Sequence, residues 1–118
     1  MLQVLGPVSV PVPGTPVRLT AGVTANAEGI INNPERFTCH AVLLQAKPAN
    51  QGKVYIGWAE MNRTTLAEVS GVLAIPTDNS IPSYSISLTL SPAGVALSEL
   101  YIDADEANDG VLVTVLVT

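Results

Sequence analysis

Apolar and polar residues alternate in several short segments of this chain. The clearest is 83–90, in which Tyr84 and every second residue up to Leu90 are apolar, with serine or threonine between them. A period of two places alternate side chains on opposite faces of a β-strand, so this segment is predicted to form a half-buried strand. Segment 111–118 has valine at every second position and is predicted to form the last strand.

Turn-forming residues separate further segments that have strand composition. These segments are 17–20, 38–46, 53–58, 72–75 and 99–104. The five residues 48–52 predict a hairpin between 38–46 and 53–58, and Asn108-Asp109-Gly110 predicts a second hairpin before the last strand. Helix is limited to one or two turns within 60–71. The pattern predicts an all-β fold, either a single β-sandwich or a small jelly roll.

The beginning of the chain differs from the rest because proline alternates with valine there. The prolines are Pro7, Pro11, Pro13 and Pro16. Proline fixes φ and has no N–H to donate, so this stretch cannot be a helix or a central strand. We predict either a polyproline-like arm or an edge strand. The predicted organisation is an extended N-terminal arm at 1–16 followed by one β-sandwich domain at 17–118.

The composition suggests contact with other proteins. Charged residues make up 13 % of the chain and hydrophobic residues 47 %, and this charged fraction is about half that of an average soluble domain. A small isolated domain normally covers its surface with charge. The valine-rich last strand must also be central in a sheet or covered by a neighbour. The predicted contact residues are valines of the arm and of both ends of the domain: Val8, Val10, Val12, Val17, Val115 and Val117.

The charge distribution argues against direct binding of nucleic acid. Five basic residues are spread thinly along a chain of net charge −5, so no basic stripe can neutralise phosphates. The first residues lack the basic and apolar regions of a signal peptide. No apolar run approaches the roughly 20 residues needed to cross a bilayer. We expect a protein made in the cytoplasm that binds neither nucleic acid nor membrane.

Few residues suit catalysis or metal binding. His40 and Cys39 are the single histidine and the single cysteine, and neighbours on a strand point to opposite faces, so they cannot form a nucleophile–base pair. Asp103, Asp105 and Asp109 form a weak candidate calcium site, because closely spaced carboxylates followed by glycine can bind this ion. Their spacing departs from the EF-hand loop, and a solvated hairpin tip is the alternative interpretation. We expect no enzyme activity and no cofactor.

Four aromatic side chains allow two interpretations. Tyr55, Trp58, Tyr84 and Tyr101 could line a sugar-binding platform, or they could be anchors of the core and of an interface. Exposed rings with acidic partners would favour a carbohydrate- or receptor-binding module. Buried rings would favour a structural protein.

Residues 38–118 resemble a recurrent type of small bacteriophage virion protein. The resemblance lies in 42–57 (VLLQAKPANQGKVYIG), 85–88 (SISL), 97–105 (LSELYIDAD) and 110–114 (GVLVT). In that type, a hairpin is followed by a polar strand, an LYIDAD strand and a terminal hairpin. The N-terminal arm and the segment 21–37 lie outside the resemblance.

The resemblance implies a head decoration, or cement, protein on the outside of the phage capsid. Such a protein stabilises the head by binding across joints between capsomers. Its partners would be the major capsid protein and copies of itself, with a trimer favoured. A tail, neck or baseplate component is an alternative of the same class. A carbohydrate- or receptor-binding module displayed on the virion is the alternative from another class.

Overall fold

The computed structural model describes residues 2–22, 38–87 and 95–116 and confirms the predicted all-β fold. None of the helical segments in these ranges has the length and apolarity needed to cross a membrane. Short 3-10 turns lie at Leu19–Gly22 and Leu97–Glu99. The strands are β1 (Leu2–Ser9), β2 (Val17–Arg18), β3 (Thr38–Cys39), β4 (Ala41–Ala46), β5 (Val54–Gly57), β6 (Val69–Leu73), β7 (Ser83–Ser87), β8 (Val95–Ala96), β9 (Tyr101–Ala104) and β10 (Gly110–Leu116).

Two antiparallel four-stranded sheets form the sandwich. The first sheet has the order β1-β10-β4-β7, and the second has the order β2-β9-β5-β6. A further pair, β3 and β8, forms a separate two-stranded sheet. The pairing is nested, since β1 pairs with β10, β2 with β9, β3 with β8, β4 with β7 and β5 with β6. The chain is thus one long hairpin rolled into two sheets, which is the eight-stranded jelly roll, the second of the two predicted architectures.

The core lies between the two sheets and is built from the alternate residues of each strand. Val111, Val113 and Val115 of β10 are fully buried. They face Val54 and Ile56 of β5, and further buried residues of β4 and β9 complete the cluster. β10 lies between β1 and β4, so of the two alternatives for the valine-rich strand, central in a sheet or covered by a neighbour, the structure shows the first. Its valines are sheltered within the chain itself.

Both predicted hairpins are wrong. β4 pairs with β10 and β7 in the first sheet, whereas β5 pairs with β6 and β9 in the second. The turn at Asn108-Asp109-Gly110 likewise connects β9 of the second sheet to β10 of the first. Asn108 does adopt the predicted positive φ, at 69°. The turns have the local chemistry of hairpins, but each carries the chain across the sandwich from one sheet to the other.

The N-terminal segment is an edge strand rather than a free arm. β1 pairs with β10 from Leu2↔Leu116 to Ser9↔Gly110. The register shifts between Val4 and Gly6, where Gly6 has a φ of 107°. Such a bulge adds twist at a sheet edge and uses the freedom of glycine. The part of 1–16 that follows β1 is a turn leading to β2.

Two further predicted elements differ from the structure. The strand predicted at 38–46 is divided at His40 into β3 and β4, which belong to different sheets. Segment 60–71 contains no helical turn: it forms hydrogen-bonded turns that end in β6. Asn62 Oδ1 accepts the N–H groups of Thr64 and Thr65 at 2.8 and 3.1 Å, and this local bond competes with helix formation.

Candidate functional site

Asp109 and Asn50 connect the β4–β5 turn to the β9–β10 turn. At both turns the chain passes from one sheet to the other. Asp109 Oδ2 accepts the N–H groups of Gln51 and Gly52 at 2.9 and 2.8 Å. Asn50 bonds Gly110 twice: its Nδ2 donates to the Gly110 carbonyl at 2.8 Å, and its Oδ1 accepts the Gly110 N–H at 3.0 Å. Asp109 and Asn50 are both buried. These polar side chains therefore serve as structural partners of the backbone.

Asp103 and Asp105 hold the β5–β6 loop against the outer face of the second sheet. Asp103 is 1 % exposed, and its Oδ1 accepts the N–H groups of Gly14 and Ala104 at 2.9 and 2.8 Å. Arg63, in the loop, donates from Nη1 to Asp105 Oδ1 at 2.9 Å, and its Nε lies 3.8 Å from Asp103 Oδ2. The arginine thus bridges two carboxylates from β9 and the following turn.

Tyr55 completes this network from β5. Its hydroxyl donates to Asp105 Oδ2 at 3.1 Å. Burial raises the pKa of the Tyr55 hydroxyl, and the hydrogen bond and negative charge of Asp105 raise it further. The phenol therefore stays neutral and acts as a donor through the physiological pH range.

The three carboxylates of the candidate calcium site are not brought together. Asp103 and Asp105 bond the loop arginine, whereas Asp109 faces the β4–β5 turn. Across residues 2–22, 38–87 and 95–116, no group of three or more His, Cys, Asp or Glu side chains could hold a metal ion. The acidic turn is also not a solvated hairpin tip, because two of its three aspartates are buried and bonded to backbone N–H groups.

Cys39 is buried at the end of β3. Burial raises the pKa of its thiol to about 11, and a backbone hydrogen bond at Ala41 partly offsets this effect. A thiol that stays protonated is a poor nucleophile. His40 follows at the break between β3 and β4, where its backbone N–H donates to the Leu116 carbonyl at 2.9 Å.

Three of the six predicted contact valines lie inside the chain's own core. Val8, Val10 and Val115 are 3, 0 and 0 % exposed, so the structure places these three side chains in the core and not on the surface where they were predicted. Val17 is half-buried and packs against the core. Val12, in the β1–β2 turn, is exposed. Val117 lies outside the described residues.

The four strands of the first sheet carry no charged residue on their outer side, and we call this side the uncharged face. One charge lies at its end: Lys47, directly after β4, donates from Nζ to Ser9 Oγ at 2.7 Å. In an antiparallel pair, residues opposite each other point to the same side. The register therefore groups the outward residues of β1, β4, β7 and β10. Val4 is 67 % exposed, Leu43 36 % and Leu116 38 %. The described side chains of the uncharged face are Val4, Pro7, Ser9, Ala41, Leu43, Gln45, Ser83, Leu112, Thr114 and Leu116.

The sequence pattern does not locate the uncharged face, because alternation in β10 separates the valines from Leu112, Thr114 and Leu116 without showing which set faces the core. A strand that is apolar on its core side normally carries polar residues on the other side. Leucine occupies two of the three outward positions of β10, so this strand is apolar on its outer side as well.

The outer face of the second sheet carries a groove, which we call the aromatic groove. Its volume is about 500 Å³, and its main polar and aromatic side chains are Arg18, Trp58, Glu60, Glu68, Glu99 and Tyr101. The four aromatic residues considered above are thus divided. Tyr55 is buried and Tyr84 packs against the core, whereas Trp58 is 46 % exposed. Only Trp58 and Tyr101 of the four line this groove.

Comparisons with known proteins gave no match. No family model matches the chain, and neither the curated proteins nor the solved structures include a significant match.

Proposed function

We propose that this chain is a structural protein of a bacteriophage virion, a head decoration protein that stabilises the capsid by binding across joints between capsomers. The observation that carries the proposal is the uncharged face, because a small domain that stays free in solution normally covers its surface with charged side chains. The resemblance of 38–118 to small virion proteins supports the same role. The jelly roll adds support at the level of the fold alone, since viral capsid domains and lectins both use it.

The size of the uncharged face implies weak binding by one copy. A strand spacing of ~4.8 Å and a rise of ~3.4 Å per residue give four strands of this length an area of roughly 350 Å². Burying that area contributes about 9 kcal/mol from this chain's side alone at ~25 cal/mol per Å², the polar side chains on the face reduce this figure, and association costs about 4–15 kcal/mol. The net free energy of binding of a single copy is therefore close to zero. Attachment becomes firm when several copies bind together, which favours a trimer of this chain on the major capsid protein.

The uncharged face is rigid before it meets a partner. β10 is hydrogen-bonded to β1 on one side and to β4 on the other. The side chains beneath it form the core, and Asn50 clamps the end of β10 at Gly110. A preorganised surface loses little conformational freedom on binding, so more of the contact energy contributes to affinity.

The copy number of the chain in purified particles tests the proposed location. Quantitative mass spectrometry of virions of the phage that encodes it should give hundreds of copies, as expected for a head lattice. A few to a few dozen copies would place the chain in the tail, neck or baseplate instead. Absence from the particle would refute the role in the virion.

A matched pair of variants tests the surface. Val4→Lys puts a charge on the uncharged face, and Val72→Lys puts the same charge on the outer face of the second sheet. Both valines are exposed and lie on edge strands, at 67 and 45 %, so both variants should fold. We expect Val4→Lys to reduce binding to particles that lack the chain by at least tenfold, which is about 1.4 kcal/mol, and Val72→Lys to bind normally. Equal binding by both would show that the uncharged face is not the contact surface.

A further inference from the structure

We propose that the aromatic groove binds a neutral oligosaccharide. This activity goes beyond attachment to a particle and uses the opposite side of the sandwich. The inference depends on an exposed tryptophan, on carboxylates placed around it and on the open groove that these side chains line.

The groove is built from separate elements that converge on the second sheet. Arg18 comes from β2 and Tyr101 from β9, which are paired at these two residues. Trp58 directly follows β5, and Glu68 directly precedes β6. Glu99 belongs to the 3-10 turn before β9. A volume of about 500 Å³ lies within the usual range of ligand sites, about 300–1,000 Å³.

The backbone fixes the position of Trp58. Its N–H donates to the Glu68 carbonyl at 3.1 Å, and its own carbonyl accepts the N–H of Met61 at 3.0 Å. This close approach requires glycine at position 57, because a Cβ there would lie 2.1 Å from the Glu68 oxygen. Glu68 itself has a φ of 58°, a conformation that is costly for a residue other than glycine. A large apolar ring is thus held in solvent at the base of a constrained loop.

The side chains around Trp58 match the chemistry of a sugar. One face of a pyranose ring carries C–H groups that pack on an indole, and its hydroxyls donate to carboxylates. Glu60, Glu68 and Glu99 supply those acceptors. Arg18 donates from Nε and Nη2 to the Tyr101 hydroxyl at 3.1 and 2.9 Å, which orients both side chains along the groove.

The charges of the groove exclude an anionic ligand. Three carboxylates face one guanidinium in the groove, and this excess of negative charge repels phosphates, nucleic acid and acidic sugars. A cationic ligand would bind best between aromatic faces. The guanidinium of Arg18 lies 5.5 Å from the centroid of the Tyr101 ring. A side chain of the protein therefore already occupies the cation position at that ring. The Trp58 ring remains as a single stacking platform in an open groove, which suits a flat, uncharged ring.

The single tryptophan gives a direct readout. Because Trp58 is the only tryptophan in the chain, its fluorescence reports on the groove without a label. We would screen the full chain on an array of neutral and charged glycans and then titrate the strongest neutral glycan against Trp58 fluorescence. We expect a saturable spectral change with a dissociation constant in the millimolar range or below. Absence of binding by every neutral glycan would overturn the proposal, and so would a preference for a hexalysine peptide over all of them.

Substitutions locate the binding. By calorimetry, Trp58→Ala should weaken binding of the selected glycan at least tenfold. Glu60→Gln should weaken it severalfold, and Glu106→Gln, an exposed glutamate on the β9–β10 turn, should leave it unchanged.

Trp58→Phe keeps a ring in place and covers the case in which the alanine variant fails to fold. This variant should bind the glycan, but more weakly than the original chain. Unchanged affinity in Trp58→Phe and Glu60→Gln would overturn the assignment of the site. Val4→Lys should bind the glycan normally, so failure of particle attachment and failure of this site can be distinguished.

Discussion

Individual buried polar residues determine how the chain crosses between its sheets. Asp109 accepts two backbone N–H groups of the β4–β5 turn, and Asn50 bonds both backbone groups of Gly110. Within the described ranges, no buried side-chain nitrogen or oxygen lacks a partner. A fully bonded polar cluster specifies one arrangement of the turns, because any other arrangement leaves buried groups without partners.

Asp109→Ala tests this cluster. The substitution leaves the N–H groups of Gln51 and Gly52 without their acceptor, and we expect the free energy of unfolding to fall by about 2–4 kcal/mol. Urea denaturation followed by circular dichroism would measure the change. Glu106→Ala, an exposed position in the same turn, should cost less than about 0.5 kcal/mol. If the two variants were equally stable, Asp109 would have no structural role.

At the scale of elements, the sequence predicted the strands well and their partners poorly. The alternation in 99–104 and 111–116 grouped the side chains that the fold buries together, because burial on one side of a strand leaves a periodic pattern. It did not show that the side buried in 111–116 was the valine side. The Asn108-Asp109-Gly110 turn was assigned to a hairpin because its residues allow positive φ. That local property is the same whether the chain reverses within one sheet or crosses to another. The choice depends on distant strands, which a short segment cannot encode.

The candidate surfaces were predictable only in part, for the same reason. The scarcity of charge in the composition indicated a contact surface, but locating that surface required the register that places Val4, Leu43 and Thr114 side by side. Valine suits a position in the core as well as a position in an interface. The pairing of β1 with β10 is what buries Val8 and Val115. The sugar-binding interpretation named Trp58 and Tyr101, whereas Glu68 and Arg18 join them only through the fold.

Gly110→Ala tests the pairing of β1 with β10. A Cβ at Gly110 would lie 2.0 Å from the Val8 carbonyl oxygen, so β1 must move away at this end. We expect a loss of about 2–4 kcal/mol in unfolding free energy and faster hydrogen exchange along β1. Gly52→Ala is the control. Its added Cβ would lie 3.0 Å from Glu106 Cγ and 3.1 Å from Asp105 Cβ, and no closer than 3.6 Å to a backbone atom, so it should cost less and leave β1 protected. Equal exchange in both variants would refute the steric argument.

At the scale of the whole molecule, the nested pairing separates two surfaces and joins two distant segments. The uncharged face and the aromatic groove lie on opposite outer sides of the sandwich, so a partner on one leaves the other accessible. The pair that closes the roll, β1 with β10, joins residues nearly the full length of the chain apart. Contacts between such distant residues cost the most chain entropy when they form.

A disulfide across that pair should therefore stabilise the fold strongly. Val4 and Thr114 are opposite each other on the uncharged face, and the Cα separation of an antiparallel pair, about 4.5–5.5 Å, suits a disulfide. Val4→Cys/Thr114→Cys, combined with Cys39→Ala to prevent mispairing, would close a loop of about 110 residues. For a loop of this length we expect up to about 4–5 kcal/mol of additional stability. Urea denaturation of the oxidised and reduced forms of the same variant would measure the gain. Failure of the two cysteines to join in a glutathione redox buffer would show that β1 and β10 are not paired at this position, and the rolled topology would then be incorrect at its outermost pair.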